Sequence, residues 1–202
     1  MTIQALERRV RQEAGDLVLP TVVELLGAVY PSRGLVLEIG SGLGQHVLEL
    51  ARQLPWLRWQ PSERPRFLGA LRLMTATARL PNLLPPIPLD VNQPWPIRRA
   101  DGLFSANTVH VMPWRAVEAL FAGAAAALVQ GGCFCLLGPF SRNGYFMRRE
   151  HRQFDAMLRA RDPGLGLRDV GGVDALARAH GFALTVDRTM PDHSVALVWQ
   201  RR

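Results

Sequence analysis

The chain contains no lysine. All 24 of its cationic side chains are arginines, so apart from the N-terminus it has no amine to act as a nucleophile or form a Schiff base. Guanidinium groups stay charged across the accessible pH range. Cysteine is nearly absent too: Cys133 and Cys135 stand one residue apart in an apolar run. Alternate residues of a strand share a face, a spacing that suits a strained disulfide or none. No His or acid lies close by, and a metal site needs more ligands than the pair offers. Both read as core residues, and no metal centre is expected. The uncharged run from Gly102 to Trp114 holds Asn107, His110, Ser105 and Thr108. It is too short and too polar to span a bilayer. The opening residues lack a basic stretch followed by an apolar core, so no signal peptide is read there. A cytoplasmic protein with no membrane partner is expected.

The net charge is +7. Two explanations compete: a compositional bias toward arginine, or the electrostatic footprint of a nucleic-acid partner. The arginines are scattered, and only Arg148, Arg149, Arg152, Arg159 and Arg161 group together. Bias is the favoured explanation, and nucleic acid is not the favoured partner.

With 202 residues, 48% hydrophobic and 20% charged, the chain suits one globular domain. Strand-like and helix-like segments alternate. Residues 2–14 and 18–29 read as helices, broken by Pro31-Ser32-Arg33-Gly34. Leu35 to Ile39 is a short apolar strand. Gly40 to Gly44 is a glycine-rich turn into a helix over 45–54. Leu57 to Pro61 is a second strand, with a helix over 64–79 behind it. Ile87 to Val91 and Asp101 to Ala106 are further strands. A long Ala-rich helix runs from Pro113 to about Val129, with Gly131-Gly132 as its expected cap. Cys133 to Leu137 is a fifth strand, and 138–144 a loop. Residues 145–160 and 173–180 read as helices, and Phe182 to Val186 and Val195 to Trp199 as closing strands. This pattern predicts an α/β fold with a doubly wound, mostly parallel seven-stranded sheet. Only a short loop separates the last two strands, so they should pair antiparallel.

The strongest chemical signal is the run Glu38-Ile39-Gly40-Ser41-Gly42-Leu43-Gly44-Gln45-His46, which follows a strand and opens a helix. A dinucleotide fingerprint would need glycine where Gln45 stands. The spacing Gly-x-Gly-x-Gly, with an acid two residues ahead, is that of S-adenosylmethionine (SAM) binding loops. Glu63 follows Gly44 at close to the roughly 20-residue interval of ribose-binding acids; a surface glutamate beside Arg64 and Arg66 is the alternative. Asp90, with Val91, ends the third strand, where the adenine of SAM would approach. An Asx turn in a Pro-rich loop is the alternative there. Ser105, Asn107 and His110 fall at the end of the fourth strand, in the crevice where open sheets bind ligands. His110 could orient substrate or act as a base, or hydrogen-bond nearby backbone. Trp114 could line the same pocket or belong to the core.

These residues carry a resemblance. The chain resembles class I SAM-dependent methyltransferases, and more narrowly the methyltransferase-like 26 family. The resembling stretches are Val36 to His46, Trp59-Gln60-Pro61-Ser62-Glu63, Leu89-Asp90-Val91 with Trp95-Pro96, Phe104 to Asn107 with His110, and Pro113-Trp114. Gly138-Pro139-Phe140, Phe154-Asp155, Arg161-Asp162-Pro163 and Arg168-Asp169 complete them. Departures are Gly40 where the family has Ala, Leu43 where it has Thr, and Glu63 where it has Asp. Glu150-His151 replaces Ser-Asn, and Asp192-His193-Ser194 stands in an Asn-bearing segment. The resemblance implies one methyltransferase domain over 1–202, with 1–30 as a helical cap. It implies SAM as cofactor, held by Glu38, Gly40, Ser41, Gly42, Gly44, Gln45, His46, Glu63, Asp90, Val91, Ser105 and Asn107. It implies His110 as a catalytic base and Trp114, Phe140, Asn143 and Tyr145 as substrate contacts. Tyr145, His151 and His193 are weaker candidates for the base.

The implied reaction is methyl transfer to O, N or S of a small molecule by a monomer or homodimer. Two alternatives stand beside it: a nucleic-acid methyltransferase, and a non-catalytic SAM-binding scaffold.

Overall fold

The computed structural model describes residues 18–202. The expected helix over 2–14 and the start of the expected cap lie outside those residues. Residues 18–29 are helical (α1). They lay Val18, Val22, Leu25 and Leu26 against the sheet, at the spacing of one helical face.

The elements that follow are β1 (Gly34–Ile39), α2 (Gln45–Gln53), β2 (Leu57–Glu63), α3 (Leu68–Ala76), β3 (Ile87–Pro88), β4 (Ala100–Ala106), α4 (Trp114–Ala127) and β5 (Leu128–Gly138). Then come β6 (Phe140–Arg142), β7 (Tyr145–Phe146), α5 (Arg149–Arg161), β8 (Arg168–Asp169), α6 (Val170–Ala179), β9 (Phe182–Thr189) and β10 (Val195–Arg201).

The main sheet has seven strands in the order β3-β2-β1-β4-β5-β10-β9. Only β10 runs against its neighbours, antiparallel to both β5 and β9. This is the architecture expected from the alternation of elements. The order reverses between β1 and β4, which opens a crevice at their carboxyl ends. Successive residues of β1 serve opposite cores: Leu37 and Ile39 pack under α4 and α6, and Val36 under α1 and α2. The two-residue period of a strand buried on both faces requires this.

Several local expectations fail for identifiable reasons. The stretch read as a loop after β5 forms β6, which pairs with β7 and β8 in a second, three-stranded sheet. Strands of two or three residues are too short to show a hydrophobic period. Tyr145 and Phe146 belong to that sheet, so α5 starts at Arg149 and not at 145. Gly131 and Gly132 do not cap α4. The helix ends at Ala127 and both glycines lie inside β5, where the pairing with β4 shifts register between Ala100 and Gly102. Glycines within a strand commonly mark such an irregularity. The third strand pairs only over Ile87–Pro88, since proline has no N–H for a ladder. The helix expected from 64 opens with a 3-10 turn over Pro65–Phe67 before α3 begins.

The chain also holds an uncharged stretch, Ala119 to Ser141, long enough to suggest a membrane span. It is divided between α4 and β5, and no helix among the described residues is long and apolar enough to cross a membrane.

Two helical glycines give opposite expectations. A Cβ at Gly123 in α4 would fall 2.2 Å from the buried Trp95 ring, whereas one at Gly69 in α3 meets nothing within 4 Å. Gly123→Ala should destabilise the protein by about 1–3 kcal/mol through overpacking, despite the better helix propensity. Gly69→Ala should be neutral or stabilise by up to about 1 kcal/mol. Urea unfolding of both variants checks the pair, and equal shifts would contradict this packing.

Candidate functional site

The end of β1 is fastened on both sides by serine hydroxyls. From β2, Ser62 Oγ donates to the Glu38 carbonyl at 2.6 Å. From β4, Ser105 Oγ donates to the Ile39 carbonyl at 2.8 Å and shares a 2.7 Å bond with Thr108 Oγ1. The glycine loop leaves β1 at this point. Gly40 and Ser41 both donate their N–H to the Ser62 carbonyl, at 3.1 and 2.9 Å. Ser62 N–H in turn reaches Ser41 Oγ at 3.2 Å. Gly40 holds φ 74, and a Cβ there would lie 2.6 Å from Thr108 Cγ2. The loop and the β4 end are thus packed as closely as a backbone allows. Gly42 differs: its φ is 59, and a Cβ would meet nothing within 4 Å. The loop has open space beside it there.

Glu63 sits where β2 ends. Its Oε2 accepts from Gly42 N–H at 3.0 Å and its Oε1 from Arg64 N–H at 2.7 Å. It is half-buried and bound to the glycine loop, so it is not a bystander on the surface. Its carbonyl accepts from Leu89 N–H at 2.9 Å, which brings Asp90 and Val91 to the same edge. Asp90 Oδ1 accepts from the backbone and side-chain nitrogens of Asn92, at 2.9 and 3.0 Å. That is an Asx turn, built at the position expected beside adenine.

Glu38 is the unusual group. It is 1% exposed, and among the described residues its Oε2 is buried with no hydrogen-bond partner. Burial raises its pKa to about 7; the Ser41 hydroxyl opposes the rise and the charge of Glu63 adds to it. A buried carboxylate with an unsatisfied oxygen is costly. A ligand that brings a positive charge or an N–H donor would relieve it. The donor set therefore fits a cofactor with a cationic amino-acid portion and ribose hydroxyls. Gln45 is exposed at the start of α2, and His46 sets its ring edge-on to Phe104 at 5.9 Å.

Ser105 departs from its expected role. It is fully buried, with its hydroxyl engaged by Ile39 and Thr108, so it braces the site and does not face a ligand. Asn107 is half-buried at φ 56 and donates its N–H to the Leu137 carbonyl at 2.8 Å. His110 lies buried in a 3-10 turn over Val109–Val111. Its ring stands edge-on to Phe154 of α5 at 5.2 Å, and its carbonyl accepts from Gly166 N–H at 3.0 Å.

The turn is clamped by Arg168. That guanidinium donates to the carbonyls of Val109 at 3.1 Å, Gly164 at 2.8 Å and Met112, and lies over the Trp114 ring. Burial lowers its pKa from the ordinary arginine value. The sequence marks Arg168 only as part of the Arg168-Asp169 run that carries the resemblance, and its role depends on three carbonyls brought together only by folding.

The substrate residues separate. Trp114 is 37% and Tyr145 77% exposed, whereas Phe140 is 0% exposed and packs in the core under α4 and α6. Phe140 is therefore a core residue and not a substrate contact. Asn143, at φ 51, forms the turn of the β6–β7 hairpin. The hairpin is held in place by the Arg142–Asp187 ion pair and by Asp169 Oδ2, which accepts from Ser141 Oγ and Gly144 N–H, both at 3.1 Å. Cys133 and Cys135 are buried free thiols, and burial pushes both thiol pKa values up.

A family model described as "Protein of unknown function (DUF938)" matches residues 12–201. Solved structures with the same fold include an O-methyltransferase family protein from Burkholderia thailandensis. Its TM-score is 0.79 at 19% identity, covering 97% of this chain and 58% of that one. An O-methyltransferase family 2 protein from Planctomyces limnophilus, in complex with apigenin, gives 0.79 at 15% identity, covering 99% and 62%. CalO1, a methyltransferase in calicheamicin biosynthesis in its SAH-bound form, gives 0.73 at 18% identity, covering 88% and 52%. At these identities the likeness is one of fold. The chain spans little more than half the length of these structures.

Glu38 makes stability depend on pH. Its folded pKa of about 7 lies above the ordinary 4.5, so its contribution is fully present below the ordinary value and is lost as pH rises through 7. The loss between pH 4 and pH 8 should be about 3 kcal/mol. Glu38→Gln should remove that part of the pH dependence. Urea unfolding of both proteins at the two pH values measures it, and parallel pH profiles would refute the assignment.

Proposed function

The chain belongs to the DUF938 family, and with that as premise we propose that it is a SAM-dependent methyltransferase acting on O, N or S of a small molecule. We extend the proposal to kinship with the methyltransferase-like 26 family, on the shared runs around Gln45-His46, Trp59 to Glu63 and Gly138-Pro139-Phe140. One observation carries the reading: the buried, unsatisfied Glu38 oxygen beside a glycine loop that is open at Gly42.

In this reading Glu38, Gly40, Ser41, Gly42 and Gly44 cradle the amino-acid portion of SAM, with Gln45 and His46 at the rim. Glu63 accepts from the ribose hydroxyls, exchanging the Gly42 N–H for them or sharing it. Asp90 and Val91 border the adenine, and Asn107 lies across the crevice. When bound, SAM supplies a methyl group already activated for displacement, so the protein's task is positioning and exclusion of water. His110 accepts the proton of a hydroxyl or thiol acceptor at one of its ring nitrogens. Arg168 and Phe154 hold that imidazole in place. Trp114, Asn143 and Tyr145 border the acceptor. We read the chain as one cytoplasmic domain, monomeric or homodimeric.

Calorimetric titration with SAM and with its demethylated product tests the reading. Micromolar affinity, about −8 kcal/mol, is expected for at least one of them. Glu63→Ala and Gly42→Leu should weaken it by roughly tenfold or more, with melting temperatures kept within a few degrees. No binding at millimolar ligand would move the assignment to a scaffold that keeps the fold without the cofactor, and unchanged affinity in both variants would overturn this placement of the site.

A further inference from the structure

Residues 64–89 contain four arginines, Arg64, Arg66, Arg72 and Arg79, and no acidic side chain. All four are exposed, and among the described residues none enters an ion pair. The element they surround is equally one-sided. α3 buries Leu68, Leu71 and Thr75. The last two lie over the glycine loop, 3.2 and 3.6 Å from where a Gly44 Cβ would stand. A surface helix ordinarily turns charged residues outward. This one turns out Leu73, 72% exposed, and Met74, 45% exposed, with Phe67 at 46% in the 3-10 turn that leads into the helix. A single exposed apolar residue needs no explanation, but three within two turns, rimmed by charge of one sign, mark an interaction surface.

We propose that the outer face of α3, with Phe67 and its arginine rim, docks an acidic amphipathic helix of another protein. Apolar side chains of that helix would meet Leu73 and Met74, and its carboxylates would meet Arg72, Arg79 and the Arg64 and Arg66 guanidinium groups held on Phe67. Charge complementarity selects this occupant. A second copy of the chain would set arginines against arginines across a twofold axis. Single-stranded RNA would need open aromatic faces for stacking, but the Arg64 and Arg66 guanidinium carbons already lie 5.2 and 4.5 Å from the Phe67 ring centroid. Leu73 and Met74 offer no surface on which a base could stack. The docked helix would lie beside the glycine loop, and its binding does not depend on the methyl-transfer reading.

The test uses the full chain and a fluorescein-labelled synthetic helix of about five turns, with Leu along one face and Glu elsewhere. A Lys-for-Glu peptide, a single-stranded RNA of equal charge and sedimentation velocity of the protein alone serve as comparisons. The Glu peptide should bind, with affinity falling as salt rises. Leu73→Asp should weaken it roughly tenfold or more. The double variant Arg66→Glu, Arg72→Glu should lose the Glu peptide and take the Lys peptide instead. All three side chains are exposed, and unchanged melting temperatures confirm the variants are folded. The proposal is overturned if the Glu peptide fails to bind, or binds wild type and Leu73→Asp alike. Binding of the RNA in its place, or a dimer that Leu73→Asp dissolves, would also overturn it.

Discussion

A carboxylate buried at the end of the central strand sets the terms for the rest of the site. Glu38 sits where β1 gives way to the glycine loop, out of reach of water. An acid in such a place ionises only against the cost of lost hydration. The surroundings relieve that cost in part. Ser41 stabilises the carboxylate, and Glu63 opposes it across the same loop. The free protein is left with a group poised between its two protonation states near neutrality. That condition is useful only where something else arrives to settle it.

The crevice is formed by hydrogen bonds between neighbouring strands. Ser62 and Ser105 approach β1 from opposite sides and donate to consecutive carbonyls, of Glu38 and Ile39. They hold the three strand ends level while the loop turns above them. Thr108 then closes against Gly40, and Glu63 against Gly42. The other wall is fixed differently. Arg168 gathers three carbonyls from two loops, and His110 rides on the turn so formed. One wall is strand-built and close-packed, and the other is loop-built around a buried guanidinium.

The legible parts of the molecule were those with long-period or strongly spaced signals. The alternation of elements predicts the doubly wound, mostly parallel seven-stranded sheet and the antiparallel pairing of its last strand. The Gly-x-Gly-x-Gly spacing located the loop, and the interval to Glu63 located its partner. Other features left no trace in the sequence. The small sheet of β6, β7 and β8 is made of strands too short to show a period. Gly131-Gly132 resembled a helix cap because a strand irregularity uses the same residue type. Position at the end of a strand points Ser105 toward a ligand, and the family resemblance points Phe140 toward the substrate. Their burial is a property of the packed core, which sequence position alone does not reveal. Arg168 belongs to a run that carries the family resemblance, but its clamping role exists only once folding places Val109, Met112 and Gly164 around it.

Burial holds the Glu38 pKa at about 7, and in the proposed function a bound cofactor would decide its ionisation. Carbon-13 NMR titration of the Glu38 carboxyl, in the free protein and with saturating SAM, tests it most directly. Glu38→Gln identifies the resonance by its loss. A midpoint near 7 is expected in the free protein, with a clear downward shift with SAM, as the cationic ligand favours the carboxylate. A midpoint in the ordinary carboxylate range, unmoved by SAM, would contradict it.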